Sequence, residues 1–365
     1  MKKYLCASLA LLFVLLCSCG GDKSVIKKFD EESGLPAHIT RLYPEKSGDT
    51  KVAVLLRRYD DTSSAVAVAD APDGELKTVY ELPSGSFTYE IAAGGGVIAF
   101  YELTAYTDGS VKYALKVIDT ENGNKAHSPF KKTVSQDGGV QTRFIAVCGG
   151  AVFYLTRAEL LERCRVMKYD VSTGELTEFL AFPFTDNELT GGSSCTFISE
   201  KRGYLTCGVV EGKKTTLKTY DAVSGALVKE KPLPYNAAMV CMADFDYDTG
   251  MYAMYYLSAQ NDERVAVFAF SDEEPTDILS LDEGTYIDHD EVRIVNDRIY
   301  FELQDTGKTG NSELFRGVCA NALNGEAEYY DGVYDMLLTD GGLYTLEFDN
   351  ETDYTGITMK IRKGA

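Results

Sequence analysis

An Asp or Asn followed four residues later by Gly returns along this chain at a nearly constant interval, and that interval limits the fold more than any other feature. The motif reads Asp70 to Gly74, Asp119 to Gly123, Asp170 to Gly174, Asp221 to Gly225 and Asn321 to Gly325; Ser271 and Pro275 hold the corresponding place in between. Successive copies lie about 50 residues apart, a period that marks arrays of one small structural unit. Strand-like runs flank the copies: Tyr113 to Ile118 and Arg165 to Tyr169 before, Glu175 to Phe182 and Ala226 to Leu233 after. An Asp or Asn side chain bonds backbone N–H groups two residues on, and Gly takes a positive φ without a steric penalty. Strand, tight turn, strand is a hairpin, so the motif is structural rather than chemical.

Each period divides into four strands, and a Gly-rich or Asn-Asp turn opens the second strand of most units: Gly94 to Gly96, Gly149-Gly150, Gly203, Gly250, Asn296-Asp297 and Gly341-Gly342. Alternation of apolar and polar residues is imperfect, as expected of strands packed between two neighbouring sheets. Six complete units run from Ile39 to Tyr330. A seventh has three strands, Tyr334 to Leu338, Leu343 to Phe348 and Gly356 to Ile361, and the segment Ser24 to Asp30 has no unit of its own. The expected architecture is therefore all-β: a seven-bladed β-propeller of four-stranded antiparallel blades, the last blade closed by the N-terminal strand. Closure of this kind removes exposed sheet edges.

Residues 1–18 read as a bacterial lipoprotein signal peptide, residues 19–23 as a short tether, and residues 24–365 as one propeller domain. Lys2 and Lys3 precede an apolar run from Leu5 to Leu16 that is short for a bilayer span. Leu16-Cys17-Ser18-Cys19 resembles the lipobox, which implies lipidation of Cys19. Several acyl chains on one cysteine hold a protein firmly at a membrane surface. The expected location is the bacterial cell envelope, lipid-anchored and outside the cytoplasm.

The Tyr-Asp-x-x-x-Gly stretches at Tyr169 to Gly174 and Tyr220 to Gly225 resemble the repeats of bacterial quinoprotein-like and WD40-like propellers. The chain contains no Trp. The tryptophan docking motifs of quinoprotein dehydrogenases and the Trp-Asp of WD40 blades are thus absent, and no cofactor is expected. What remains resembles propeller-repeat lipoproteins, including the scaffold lipoprotein of outer-membrane β-barrel assembly.

A formal net charge of −20 opposes binding to nucleic-acid phosphates. Six cysteines follow the leader, at 148, 164, 195, 207, 241 and 319, without a CxxC pair. Most sit in apolar runs and read as buried thiols; Cys195 and Cys207 flank one hairpin, a position that permits a bridge across it, with free buried cysteines the leading reading. Asp244, Asp246, Asp248 and Gly250 resemble a calcium loop, but Thr249 precedes the Gly and the twelfth position is Tyr255 rather than Glu, which favours an acidic turn. The richest cluster is Asp288-His289-Asp290-Glu291, leading into the innermost strand of the sixth unit. Equivalent lead-ins carry His38, Tyr89, Arg143, Tyr235, Asn236 and Tyr334. Together these form the expected ligand-binding set, placed around the mouth of a central channel.

The leading functional expectation is a non-catalytic, membrane-anchored propeller that binds a protein or glycan partner of the envelope. The alternatives are a hydrolase or lyase, with or without a metal, working around His289 and Asp290, and a scaffold for envelope assembly. Replacing Cys19 by Ala is expected to abolish incorporation of radiolabelled palmitate and release the protein from the membrane fraction. Palmitate labelling undiminished in Cys19→Ala would refute the assignment of the lipidated residue.

Overall fold

The computed structural model describes residues 37–44, 52–58, 64–69, 77–83, 85–88, 91–106, 110–134, 145–157, 163–183, 195–211, 214–233, 237–246, 248–258, 263–269, 276–280, 285–287, 292–295, 297–305, 314–339, 342–350 and 355–362. The signal sequence, Cys19 and the segment Ser24 to Asp30 lie outside the described residues.

The described chain is strand and turn. The first sheet is β1 (Ala37–Pro44), β2 (Val52–Arg58), β3 (Ser64–Ala69) and β4 (Lys77–Glu81), in that order. In the second, β5 (Ser86–Phe87) and β6 (Ile91–Gly94) both pair with β7 (Val97–Ala105), followed by β8 (Val111–Asp119) and β9 (Lys125–Val134). The third runs β10 (Ile145–Cys148), β11 (Ala151–Arg157), β12 (Arg163–Asp170), β13 (Leu176–Pro183). The fourth runs β14 (Cys195–Lys201), β15 (Tyr204–Glu211), β16 (Lys214–Asp221), β17 (Leu227–Pro232), and the fifth β18 (Ala237–Asp246), β19 (Met251–Ser258), β20 (Glu263–Ala269), β21 (Thr276–Ser280). In the sixth, β22 (Thr285–Ile287) and β23 (Arg293–Val295) both pair with β24 (Arg298–Asp305), followed by β25 (Leu314–Asn321) and β26 (Ala327–Asp331). The last sheet has three strands, β27 (Val333–Thr339), β28 (Gly342–Asn350) and β29 (Thr355–Arg362).

These sheets belong to two compact units. One comprises residues 1–139 and 331–365 and holds the first, second and last sheets; the other, residues 140–330, holds the remaining four. Within the first unit β1 packs against β27, β28 and β29, so the first and last sheets of the chain are neighbours. Within the second, β10 lies against β14, β14 against β18 and β18 against β23. The first strand of each sheet therefore flanks the first strand of the next.

Burial falls from the second strand to the fourth. Seven consecutive residues of β7, Val97 to Leu103, are buried, whereas β17 is exposed or half-buried throughout. Along β19, Tyr252, Met254 and Tyr256 pack toward the fourth sheet with Phe197 and Leu217, while the alternate Ala253 and Tyr255 pack toward the sixth with Ile299 and Phe301. The two-residue period of a strand thus feeds two separate interfaces, which explains the weak polar alternation in the sequence.

The repeated motif forms the turn between third and fourth strands. Asp170 Oδ1 accepts the Thr173 N–H at 2.9 Å and the Ser172 hydroxyl at 2.7 Å, and Asp221 Oδ1 accepts the Ser224 N–H and hydroxyl, both at 2.7 Å. These bonds hold both carboxyls below the usual carboxylate range. Gly174 and Gly225 have φ of 73° and 72° and donate their N–H groups to the Asp170 and Asp221 carbonyls, each at 2.9 Å. The next residue ties this turn to the turn between strands one and two of the same sheet. Thr120, Val171, Ala222 and Ala322 donate N–H bonds of 2.8, 3.0, 2.9 and 2.7 Å to the carbonyls of Gly96, Gly150, Gly203 and Asp297.

Two expectations require correction. The poorer strand expected near Lys125 to Lys132 is a ten-residue strand, β9, paired with β8 from Asp119 to Val111 around one bulge between Phe130 and His127. The continuous first strand expected from Phe87 to Ala92 is broken into β5 and β6. Phe87 pairs with Leu103 and Ile91 with Phe100, so the pairing is interrupted between them, with three residues of chain against two. The sixth sheet has the larger form: Ile287 pairs with Leu303 and Arg293 with Tyr300, leaving five residues opposite two. Smaller bulges interrupt β1, β14, β18 and β27, each on the first strand.

The bulge in β14 lays the Phe197 ring over Gly208. A Cβ added at Gly208 would stand 2.5 Å from Phe197 Cε1 and 2.6 Å from Thr196 Oγ1. Gly208→Ala is therefore expected to destabilise the protein by about 1–3 kcal/mol through overpacking, read as a lowered urea midpoint. An unchanged midpoint would refute this close approach.

Candidate functional site

The most connected polar arrangement among the described residues lies at the turns between first and second strands of the third to sixth sheets. β10 ends at Cys148, whose thiol is hydrogen-bonded to the Glu200 carboxyl near the end of β14. Glu200 accepts the Gly203 N–H at 2.9 Å, which closes its own turn. Next to it, Lys201 Nζ reaches Asp244 Oδ2 at 3.1 Å and Asp246 Oδ2 at 3.7 Å on β18. Asp244 Oδ2 also accepts the backbone N–H of Ile294 in β23 at 2.9 Å, and its Oδ1 accepts the Phe245 N–H at 3.0 Å. Ser199 donates its hydroxyl to the Ala243 carbonyl at 2.7 Å. One chain of polar contacts thus crosses four consecutive sheets.

Burial sets the protonation states within it. Loss of solvent and, next, the neighbouring Glu200 carboxylate together raise the Cys148 pKa to about 12. At neutral pH the group is a thiol that donates a hydrogen bond, not a thiolate nucleophile. Desolvation likewise raises Glu200, opposed by the Gly203 N–H and the Cys148 thiol.

The stretch that resembles a calcium loop belongs to this network. Asp246 Oδ1 caps the turn by accepting the Asp248 and Thr249 N–H groups at 2.9 and 3.2 Å, and Gly250 donates to the Asp246 carbonyl at 2.9 Å. Asp248 pairs with Arg202. These carboxylates are held by N–H groups and cationic side chains, the arrangement of an acidic turn.

Because Cys148, Glu200, Lys201, Asp244 and Asp246 sit at or near the C-terminal ends of β10, β14 and β18, those ends lie together. The starts of the same strands, at Ile145, Cys195 and Ala237, stand at the opposite end of the unit. Of the expected ligand-binding residues, Tyr89, Arg143, Tyr235, Asn236, Asp288, His289 and Asp290 lie outside the described residues. Arg143 is two positions before β10, Tyr235 and Asn236 directly precede β18, and Asp288 to Asp290 fall between β22 and β23. Tyr89 falls between β5 and β6. His38 stands on β1 opposite Arg57, and Tyr334 at the bulge of β27 between Val333 and Asp335, with their side chains outside the description.

The sequence reading missed a recurring buried carboxylate on the second strand. Glu102 and Glu302 are 6% and 5% exposed, and each lies opposite the interruption of its first strand. In the first unit Glu102 accepts the Tyr80 hydroxyl at 2.6 Å and pairs with Lys116 at 3.5 Å; burial and this carboxylate raise the Tyr80 pKa. Glu347 of β28 is 5% exposed and accepts the Thr345 hydroxyl at 2.6 Å. The signal was present as aromatic-Glu-Leu, Tyr101-Glu102-Leu103 and Phe301-Glu302-Leu303, inside otherwise apolar runs.

No protein-family model and no curated protein matches this sequence. Solved structures are similar to it in fold. An acylaminoacyl peptidase from Pyrococcus horikoshii is 13% identical with a TM-score of 0.51, covering 85% of this chain and 49% of its own. A prolyl endopeptidase is 12% identical with a TM-score of 0.51, covering 85% of this chain and 43% of its own. The β-propeller domain of the Trilobed protease from Pyrococcus furiosus is 13% identical with a TM-score of 0.45, covering 77% and 82%. The chain spans less than half the length of the first two, and at these identities the likeness is one of fold. The strand pairs of the described residues are antiparallel.

Lys201 is expected to matter more than the charge beside it. Lys201→Met leaves Asp244 and Asp246 inside the protein without their ammonium, at a cost of about 2–4 kcal/mol. Arg202→Ala breaks a pair open to solvent and costs below about 1 kcal/mol. Urea unfolding of both variants decides the matter, and equal effects would refute a buried role for Lys201.

Proposed function

We propose that this protein is a membrane-anchored, extracytoplasmic lipoprotein and a non-catalytic β-propeller that binds a protein or glycan partner of the bacterial envelope. In this reading the propeller is one domain of seven blades. Residues 24–30 supply the fourth strand of the last blade, and Cys19 carries the lipid anchor. The packing of β1 against the last sheet supports the closure, since it brings the two ends of the chain's sheets together.

One observation carries the binding face. The polar network joins the C-terminal ends of the first strands of the third, fourth and fifth sheets, so in this reading the binding face lies at the opposite ends of those strands. Their lead-in segments, with the counterparts in the other sheets, carry His38, Tyr89, Arg143, Tyr235, Asn236, Asp288, His289, Asp290 and Tyr334. Aromatic, cationic and carboxylate groups of this kind suit a peptide or a sugar, because they supply area and directional hydrogen bonds at once. The network end, by contrast, has its charges already committed to one another.

A photo-activatable amino acid introduced in cells at Tyr235 or Tyr334, and separately at the exposed turn residues Val223 and Leu323, tests this face. Adducts formed from positions 235 and 334, to an envelope protein or to glycan recovered on the chain, are expected. Adducts confined to positions 223 and 323 would assign binding to the other end and overturn the proposal.

A further inference from the structure

We propose that Cys195 and Cys207 close into a cross-strand disulfide when the chain folds under oxidising conditions. Cys195 is the Cα partner of Val209, and Cys207 is the partner of Ile198; the extra residue of the β14 bulge lies between. Residues two apart on a strand share a face, so Cys207 and Val209 point the same way and Cys195, opposite Val209, joins them. Both thiols belong to the apolar cluster between the third and fourth sheets, 1% and 0% exposed. Burial first, and then the neighbouring Cys207 side chain, hold the Cys195 thiol protonated. The Cys195 thiol also donates to the Phe197 carbonyl at 3.3 Å. Gly208 contributes: with no side chain between Cys207 and Val209, the Phe197 ring settles onto the strand beside the two cysteines.

A disulfide needs its two β-carbons close and its sulfurs aligned; Cys195 and Cys207 are diagonal neighbours on one face of the hairpin, so bridging them draws the two strands together at the β14 bulge. The reaction is a thiol–disulfide exchange with an external disulfide such as glutathione disulfide. One protein thiolate attacks it, forming a mixed disulfide and releasing one glutathione thiolate. The second protein thiolate then displaces the second glutathione, so two protein thiols are oxidised and one external disulfide is reduced to two thiols. Burial raises the Cys195 pKa, which disfavours the attacking thiolate in the closed structure. The bridge therefore forms as the hairpin folds rather than afterwards. Cys164 of β12 lies in the same apolar cluster and provides the internal comparison.

The test uses the full chain, refolded from urea in a buffer of reduced and oxidised glutathione, quenched with N-ethylmaleimide and mapped by mass spectrometry after trypsin digestion. The expected product is one species joining the Cys195 and Cys207 peptides, lighter than their sum by two hydrogens and split by reductant. Cys148, Cys164, Cys241 and Cys319 are expected to carry the alkyl group. Alkylation of both Cys195 and Cys207, or linkage of either to Cys164, would overturn the proposal. As a second readout, the oxidised protein is expected to melt a few degrees above the reduced one, with the difference lost in Cys207→Ala. A difference that persists in that variant would also overturn it.

Discussion

The hydrogen bond from the residue after each turn Asp or Asn to the carbonyl of the neighbouring turn is the constraint from which the rest of the structure follows. A four-stranded antiparallel sheet has two hairpin turns at one end, and nothing in the ladder itself fixes their relation. The N–H groups of Val171 and Ala222, reaching Gly150 and Gly203, join them directly. The donor is presented only because the preceding carboxylate has wound the turn and the glycine four residues on has completed it at positive φ. With both turns locked, each sheet meets its neighbours as a block of set shape. The strands are then free to differ widely in sequence, which is how units at about a 50-residue period share little beyond the turn.

This explains what was legible in the sequence. Asp119, Asp170, Asp221 and Asn321 act on groups within a few residues, so their role is encoded locally, and the strand order followed from their spacing. The bulges were not legible, because an extra residue on a first strand is set by what the second strand packs against. The segment between Ile287 and Arg293 reads in the sequence as a lead-in to one strand, whereas the chain pairs with β24 on both sides of it. Glu102 and Glu302 escaped for the same reason: a carboxylate in an apolar run reads as a solvated face until the partner strand is seen to leave a gap. Of the candidate ligand-binding residues only His38 and Tyr334 stand on described strands, so their ordering along the chain was legible and their chemistry was not.

Charge is spent unevenly over the molecule. The carboxylates of Asp170 and Asp221 are open to water, and their value is local: they organise a turn. Asp244 and Asp246 sit among apolar side chains, where an uncompensated carboxylate would be costly, and they are matched by Lys201 and by backbone N–H groups. The chain's large negative charge therefore does not describe this interior. It describes the surface, where it favours solubility and cationic partners.

Apolar packing between sheets is strong but not directional, and a sheet could slide along its neighbour with little loss of buried area. Polar ties between the fourth and fifth sheets remove that freedom. Thr206 and Thr219 share a hydrogen bond at 3.1 Å, and Thr219 shares another with the Tyr252 hydroxyl of the next sheet, also at 3.1 Å. Ser199 holds the Ala243 carbonyl, and Lys201 holds Asp244 a few residues along. A slide by one residue pair would break the Thr219–Tyr252, Ser199–Ala243 and Lys201–Asp244 contacts together and leave buried donors and acceptors unsatisfied, a penalty that area alone would not impose. The register between sheets is thereby set by a few hydrogen bonds, while the depth of the interface is set by Phe197, Tyr252 and Tyr256. A binding face assembled from segments of successive sheets depends on that register, since its groups keep their spacing only as well as the sheets keep theirs.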